Sequence, residues 1–106
     1  MEGIPAPPPK PVLTAEDKIT LCGPGITRTV LDYDTIGSGR DCEIRVPGAM
    51  PRHCVFHDWN GKWFVQCIGG SRVAVNGKEE GSEMGKMLRL KKGDTLTVAD
   101  TVFYIR

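Results

Sequence analysis

Three arginines in separate segments, Arg40, Arg52 and Arg72, and the hydroxyls of Ser38 and Ser71 are the side chains best suited to chemistry in this chain of 106 residues. Planar guanidinium forks match the oxygens of phosphate and carboxylate, and a serine hydroxyl can donate to either, so the chemistry in view is anion recognition. Surface arginines are common, and each of these can equally be a solvated loop charge; the set gains meaning only where the fold gathers it. Gly37-Ser38-Gly39-Arg40 has the glycine content of a phosphate loop. It lacks the Gly-Lys-Ser/Thr ending and a following helix to hold the anion, so nucleotide binding is not expected.

A second group, His53, Cys54 and His57, invites a metal or nucleophile reading. Alternation along a strand sends His53, Val55 and His57 to one face and Cys54, Phe56 and Asp58 to the other. A nucleophile needs its base within hydrogen-bond reach, and two histidines without a third ligand make a poor metal site. The four cysteines, Cys22, Cys42, Cys54 and Cys67, form no C-x-x-C pair, which argues against structural zinc. Their count alone permits disulfides. Each lies in or beside an apolar strand pattern, however, and there a thiol serves as a small buried hydrophobe in a reducing compartment. No catalytic residue, metal or cofactor is assigned.

Lysine plus arginine number 14 against 13 for aspartate plus glutamate, so no global field draws the chain to nucleic acid or a membrane surface. No apolar run approaches the roughly 20 residues that span a bilayer. The opening Met1-Glu2-Gly3-Ile4-Pro5 lacks the basic and apolar regions of a secretion signal, and an intracellular location is expected.

The elements that must position these residues are short strands. Pro5, Pro7, Pro8, Pro9 and Pro11 mark residues 1–13 as a proline-rich arm of polyproline II character, an inert tail or a P-x-x-P ligand. Residues 14–106 form one domain; Thr14-Ala15-Glu16-Asp17 could cap a short turn, but nothing helical follows. Gly23-Pro24-Gly25 turns a hairpin between Ile19–Cys22 and Ile26–Leu31, and Asn60-Gly61 turns another between His53–Asp58 and Lys62–Cys67. Short strands are also expected over 34–36, 43–46, 72–75, 87–90, 95–98 and 101–106. Trp59 and Trp63, flanking the Asn60-Gly61 turn, read as a cross-strand aromatic pair or core filler rather than an exposed platform. About ten or eleven short strands with turns this dense argue an all-β antiparallel sandwich of two sheets.

Gly37, Asp41-Cys42-Glu43-Ile44, Val46, His53-Cys54-Val55-Phe56, Asn76-Gly77 and Lys92-Gly93-Asp94, in this order and spacing, resemble the forkhead-associated (FHA) domain across nearly all of residues 18–106. His-Cys-Val-Phe and Val-Asn-Gly-Lys are especially similar to the kinesin-3 branch of that family. The resemblance implies an FHA sandwich that reads phosphothreonine peptides, with Gly37, His53, Asn76 and Gly77 supporting the loops. It also implies that the loops carrying Arg40, Arg52 and Arg72 gather at one end. At the positions that the family uses on the ligand, this chain departs. Ser38 stands where the loop arginine is expected, Met50 replaces the phosphate-binding serine, Pro51 replaces an arginine, and Ser71 replaces the peptide-clamping asparagine. A thioether cannot donate, and each lost charge-assisted bond removes roughly 1.5–3 kcal/mol.

Three functions follow as expectations. The first is a non-catalytic protein-interaction module with altered or lost phosphothreonine recognition, acting in assembly or anchoring, on its own or in a larger chain. The second is a binder of phosphopeptides or acidic motifs through Ser38, Arg40, Arg52, Ser71 and Arg72. The third, a small enzyme or nucleotide binder, has no arranged nucleophile, base or metal cluster behind it.

Overall fold

The computed structural model describes residues 18–81 and 86–106, and these contain eleven strands and no helix. Among the described residues no helix is therefore long and apolar enough to cross a membrane. The proline-rich arm and the Thr14–Asp17 turn lie outside the described residues.

Six strands make one sheet in the order β2(Ile26–Thr29), β1(Thr20–Gly23), β11(Thr101–Ile105), β10(Thr95–Val98), β7(Arg72–Val75), β8(Lys78–Gly81). Five make the other, in the order β4(Ile44–Arg45), β3(Thr35–Gly37), β5(Cys54–Trp59), β6(Lys62–Cys67), β9(Met87–Leu90). The inner faces meet in a core that includes Leu21, Ile36, Ile44, Phe56, Val65, Leu96 and Phe103, each at most 1% exposed. Period-two burial along β5, β6 and β10 is what puts these residues on one side.

Two-residue turns fix several registers. Asn60 and Gly61 take φ of 55° and 82° between the paired Trp59 and Lys62, and Asn76 and Gly77 take 53° and 84° between Val75 and Lys78. Positive φ at both central residues is the type I′ geometry that suits strand twist, and Asn-Gly reaches it with little strain.

Three expectations change. The sandwich is not wholly antiparallel: β3 and β4 run parallel through Ile36↔Ile44 and Gly37↔Arg45. The loop at 38–43 folds back on itself, Cys42 N–H to Gly39 O at 3.2 Å, and returns β4 alongside β3 for that short stretch. Strand β8, Lys-Glu-Glu-Gly, was not expected, because its charges have poor strand propensity; its position at a sheet edge is where charged residues are tolerated. Trp59 and Trp63 do not pair. In the β5–β6 register Trp59 meets Lys62 and Asp58 meets Trp63, so the two rings take opposite faces. Trp63 is core at 4% exposure, and Trp59 stands 65% exposed.

Candidate functional site

Gly37 ends β3 where the backbone of Pro51 passes. A Cβ added there would sit 2.4 Å from Pro51 O and 2.8 Å from Met50 O. Glycine thus lets the 47–53 loop lie against the 38–43 loop. Ser38 N–H then donates to Met50 O at 2.9 Å, Gly39 N–H to Pro51 O at 3.1 Å, and the Cys42 thiol to Pro51 O at 3.1 Å. Val46 N–H returns to Gly37 O at 2.9 Å.

His53, buried, locks this pair of loops to a third. Its Nδ1 accepts the Met50 N–H at 3.3 Å, and its Nε2 lies 2.7 Å from Arg72 O. An amide N–H can only donate and a carbonyl can only accept, so the ring is held as the neutral tautomer with its proton on Nε2. Ser71, also buried, completes the bracing. Its hydroxyl lies 2.5 Å from His53 O and 2.6 Å from Ile68 O, and it accepts the Ile68 N–H at 3.1 Å. The loops at 38–43, 46–53 and 68–71 therefore form one braced surface at one end of the sandwich.

The charges on that surface are mostly engaged within the chain. Arg52 Nη2 donates to Asp41 Oδ2 at 3.1 Å, and this holds the Asp41 carboxyl below the usual carboxylate range. Both side chains are more than three-fifths exposed, so water screens the pair. Arg72 Nε approaches Glu79 on β8 at 3.6 Å. Thr35 N–H and its hydroxyl donate to Glu43 Oε1 at 2.8 and 2.9 Å; these bonds keep the Glu43 carboxyl low and brace the base of the 38–43 loop. Arg40 is exposed and has no hydrogen-bond or ion-pair partner among the described residues.

Of the residues singled out from sequence, the structure puts Gly37, Ser38, Arg40, Arg52, His53, Ser71 and Arg72 on or directly beneath this loop surface. The Ser71 hydroxyl faces inward. Asn76 and Gly77 are elsewhere, at the opposite end of β7, where Asn76 Nδ2 donates to Asp94 at 3.0 Å and its Oδ1 accepts Thr95 N–H at 2.9 Å. Asp41, as counter-ion to Arg52, and the Thr35–Glu43 brace were not foreseen; the eight-residue separation of that brace gives no local signal. Met50, 42% exposed, presents a thioether at the loop surface. Cys54 is fully buried on the core face, and burial, with Cys67 and Cys42 nearby, pushes its thiol well above the ordinary range. Among the described residues no group of three or more His, Cys, Asp or Glu could hold a metal ion.

The family model for the FHA domain matches residues 35–99. Among solved structures, an FHA domain studied for phosphothreonine-dependent interactions is similar with a TM-score of 0.72 at 20% identity, over 84% of this chain and 95% of its own. An FHA domain of an Arabidopsis thaliana protein gives 0.72 at 20% identity, over 84% of each chain. The MEK1 FHA domain, solved with a HOP1 phosphothreonine peptide, gives 0.68 at 18% identity, over 82% of this chain and 93% of its own. No curated protein sequence matches the chain.

Proposed function

This chain belongs to the FHA domain family of phosphothreonine-peptide-binding interaction modules, and from that premise we propose that it docks a protein or peptide partner through its loop end with phosphothreonine recognition altered or lost. One observation carries the reading: the polar groups that a phosphopeptide would need are already used. The Ser71 hydroxyl is buried among His53 O and the Ile68 backbone, and Arg52 is paired with Asp41. Met50 and Ser38 supply neither a guanidinium nor, at Met50, a donor. The scaffold beneath is intact, with Gly37 and His53 fixing the loops. The module serves assembly or anchoring and does no catalysis.

Titration of the isotopically labelled chain with matched phosphothreonine, phosphoserine, glutamate and unmodified peptides tests this. The expected result is no threonine-specific response in the amides of 38–53 and 68–72. A tight response to phosphothreonine alone, lost in Arg40→Ala, overturns it.

Arg40 favours a second reading, in which anions bind a rearranged arginine set. It is exposed and has no partner among the described residues, and the Arg52–Asp41 pair is weak enough to exchange for a ligand. Ser38 lies in the same 38–43 loop and the Arg72 backbone is tied to His53, while the Ser71 hydroxyl braces His53 and Ile68 beneath the loops. Under this reading phosphoserine, phosphothreonine and acidic peptides all bind, binding falls steeply with salt, and Arg40→Ala or Arg52→Ala removes most of it.

A further inference from the structure

Three of the large apolar side chains most exposed on the described surface, Leu31 at 59%, Tyr33 at 68% and Trp59 at 65%, lie at the end of the sandwich away from the recognition loops. The β5 strand separates the two ends: His53 precedes it at the loop end and Trp59 closes it about 20 Å away. The Tyr33 ring stands edge-on to His57, centroids 5.4 Å apart. His57 faces Phe64 across the β5–β6 register, and Trp59, Asn60, Lys62 and Phe64 line a shallow concavity. The result is an aromatic strip on the outer face of the five-stranded sheet, with the Arg89 guanidinium 5.7 Å from the Phe64 ring centroid at its far edge.

The strip is held rigidly. Asp34, buried, takes two bonds from Arg28, at 2.8 and 3.1 Å, and one from Leu31 N–H at 2.9 Å. Asp32 accepts Asp58 N–H at 2.9 Å, tying the Leu31–Asp34 turn to the end of β5. Tyr33 keeps φ at 72°, a conformation costly for a residue with a Cβ. An exposed, strained and firmly anchored aromatic is poorly explained by packing alone.

What can cover it is set by where the chain enters the body. Ile19 O accepts Val30 N–H at 3.0 Å, and the β1–β2 register extends to place Lys18 opposite Leu31. Residues 1–17 therefore join the domain beside this strip. They contain Pro5, Pro7, Pro8, Pro9 and Pro11. Residues 12–17 span up to about 20 Å when extended, ample against the ~10 Å between packed sheets. Polyproline II segments bind aromatic-lined grooves at low entropic cost, and the exposed Asp32 carboxylate in the turn that carries Tyr33 is a counter-charge for Lys10. Tethering supplies an effective concentration of about millimolar, so even a weak contact is substantially occupied.

We infer that the strip of Tyr33, His57, Trp59 and Phe64 is the docking site of the chain's own proline-rich segment, residues 5–11. The segment would then be stowed on the far end, leaving the recognition loops open.

The test compares the full chain with a full-length variant whose Pro5, Pro7, Pro8, Pro9 and Pro11 are changed to serine. Exposure of each tryptophan indole N–H is read from broadening by a soluble gadolinium chelate. With half of the molecules docked in the parent chain, broadening of the Trp59 signal rises about twofold in the variant while that of buried Trp63 stays constant. The parent value is unchanged across a dilution series. In a second variant, Tyr33→Ser, the Ala6 and Lys10 amide signals shift while the Trp63 indole signal, a monitor of folding, does not. Equal Trp59 exposure in parent and proline variant overturns the inference. So does shielding that vanishes on dilution, because the occupant is then a second copy. Unmoved Ala6 and Lys10 signals in Tyr33→Ser overturn it as well.

Discussion

At the loop end of the sandwich the backbone path is set by residues far apart in sequence, whereas at the opposite end the two Asn-Gly turns take their backbone geometry from their own central residues. Gly37, Met50, Pro51, His53 and Arg72 meet at the first end through bonds bridging three loops. At the second, Asn60-Gly61 and Asn76-Gly77 make type I′ turns whose geometry follows from two residues. Side chains at the loop end can therefore be exchanged freely only where they point outward; those that point inward hold the surface itself. Substitution at the outward-facing Ser38 and Met50 side chains therefore disturbs the fold less than substitution at Gly37 or His53.

The comparison is easiest to break with one substitution made at both ends. Gly37→Ala drives a methyl to within 2.4 Å of a backbone carbonyl oxygen, so the 47–53 loop must shift. Overpacking of this kind costs about 3 kcal/mol. Gly77→Ala meets open space and is opposed only by its φ of 84°, at a cost of about 1 kcal/mol. Urea unfolding of both variants measures the gap, and equal losses would remove the distinction between tertiary and local control.

Next in size is the polar pin at each end. His53→Phe keeps the ring but leaves the Met50 N–H and Arg72 O without their partner beneath the loops, with an expected loss of about 2–3 kcal/mol. Asn76→Ala removes bonds to Asp94 and Thr95 at an exposed turn where water replaces them, with a loss nearer 1 kcal/mol. A loss for Asn76→Ala as large as for His53→Phe would show that the distal turn, too, depends on distant contacts.

Legibility in the sequence follows the same division. The alternation in His53–Asp58 and Lys62–Cys67 and the Asn60-Gly61 pair between them are local signals, and the hairpin they indicate is the β5–β6 hairpin of the structure. Strand β8 escaped because Lys78-Glu79-Glu80-Gly81 pairs at an edge, where partner geometry outweighs propensity. The parallel β3–β4 pairing escaped because two residue pairs leave no pattern. Trp59 and Trp63 read in sequence as a cross-strand pair or core filler; Trp63 is core, but four residues across a two-residue turn place Trp59 at the end of β5 and Trp63 a step beyond its partner, so they do not pair. At the loop end, sequence pointed to Ser71 as a ligand contact, but it could not show that the hydroxyl turns inward to His53 O. Pairing of Arg52 with Asp41 was equally hidden, since eleven residues separate them.

One turn at the loop end is an exception that sharpens the contrast. Ala99 links β10 to β11 with φ at 55°, a conformation its own Cβ opposes. Ala99→Gly is expected to raise stability by about 0.5–1 kcal/mol, read as a higher urea midpoint with unchanged slope. A loss of stability in this variant would mean that neighbouring contacts, and not the local φ, determine the turn.

The smallest effect concerns the charges that quiet the loop surface. Asp41 is held low chiefly by the hydrogen bond from Arg52, and a carboxyl whose folded value is lowered stabilises the fold above its unfolded value. That contribution is lost only as pH falls through the lowered folded value, so it is intact at neutral pH and disappears below the ordinary aspartate value of about 3.9. The pair is exposed and screened, which makes titration of its carbon signal a better readout than unfolding. In the parent chain the Asp41 carboxyl carbon should titrate below the ordinary value; in Arg52→Ala its midpoint should rise. The same low-pH protonation frees Arg52, so the amides of Arg52 and His53 should move together with the Asp41 carbon. An Asp41 midpoint indifferent to Arg52→Ala would show that the arginine is not held by the carboxylate in solution. The loop end would then present both Arg40 and Arg52 unpaired, which is the arrangement an anion-binding surface needs.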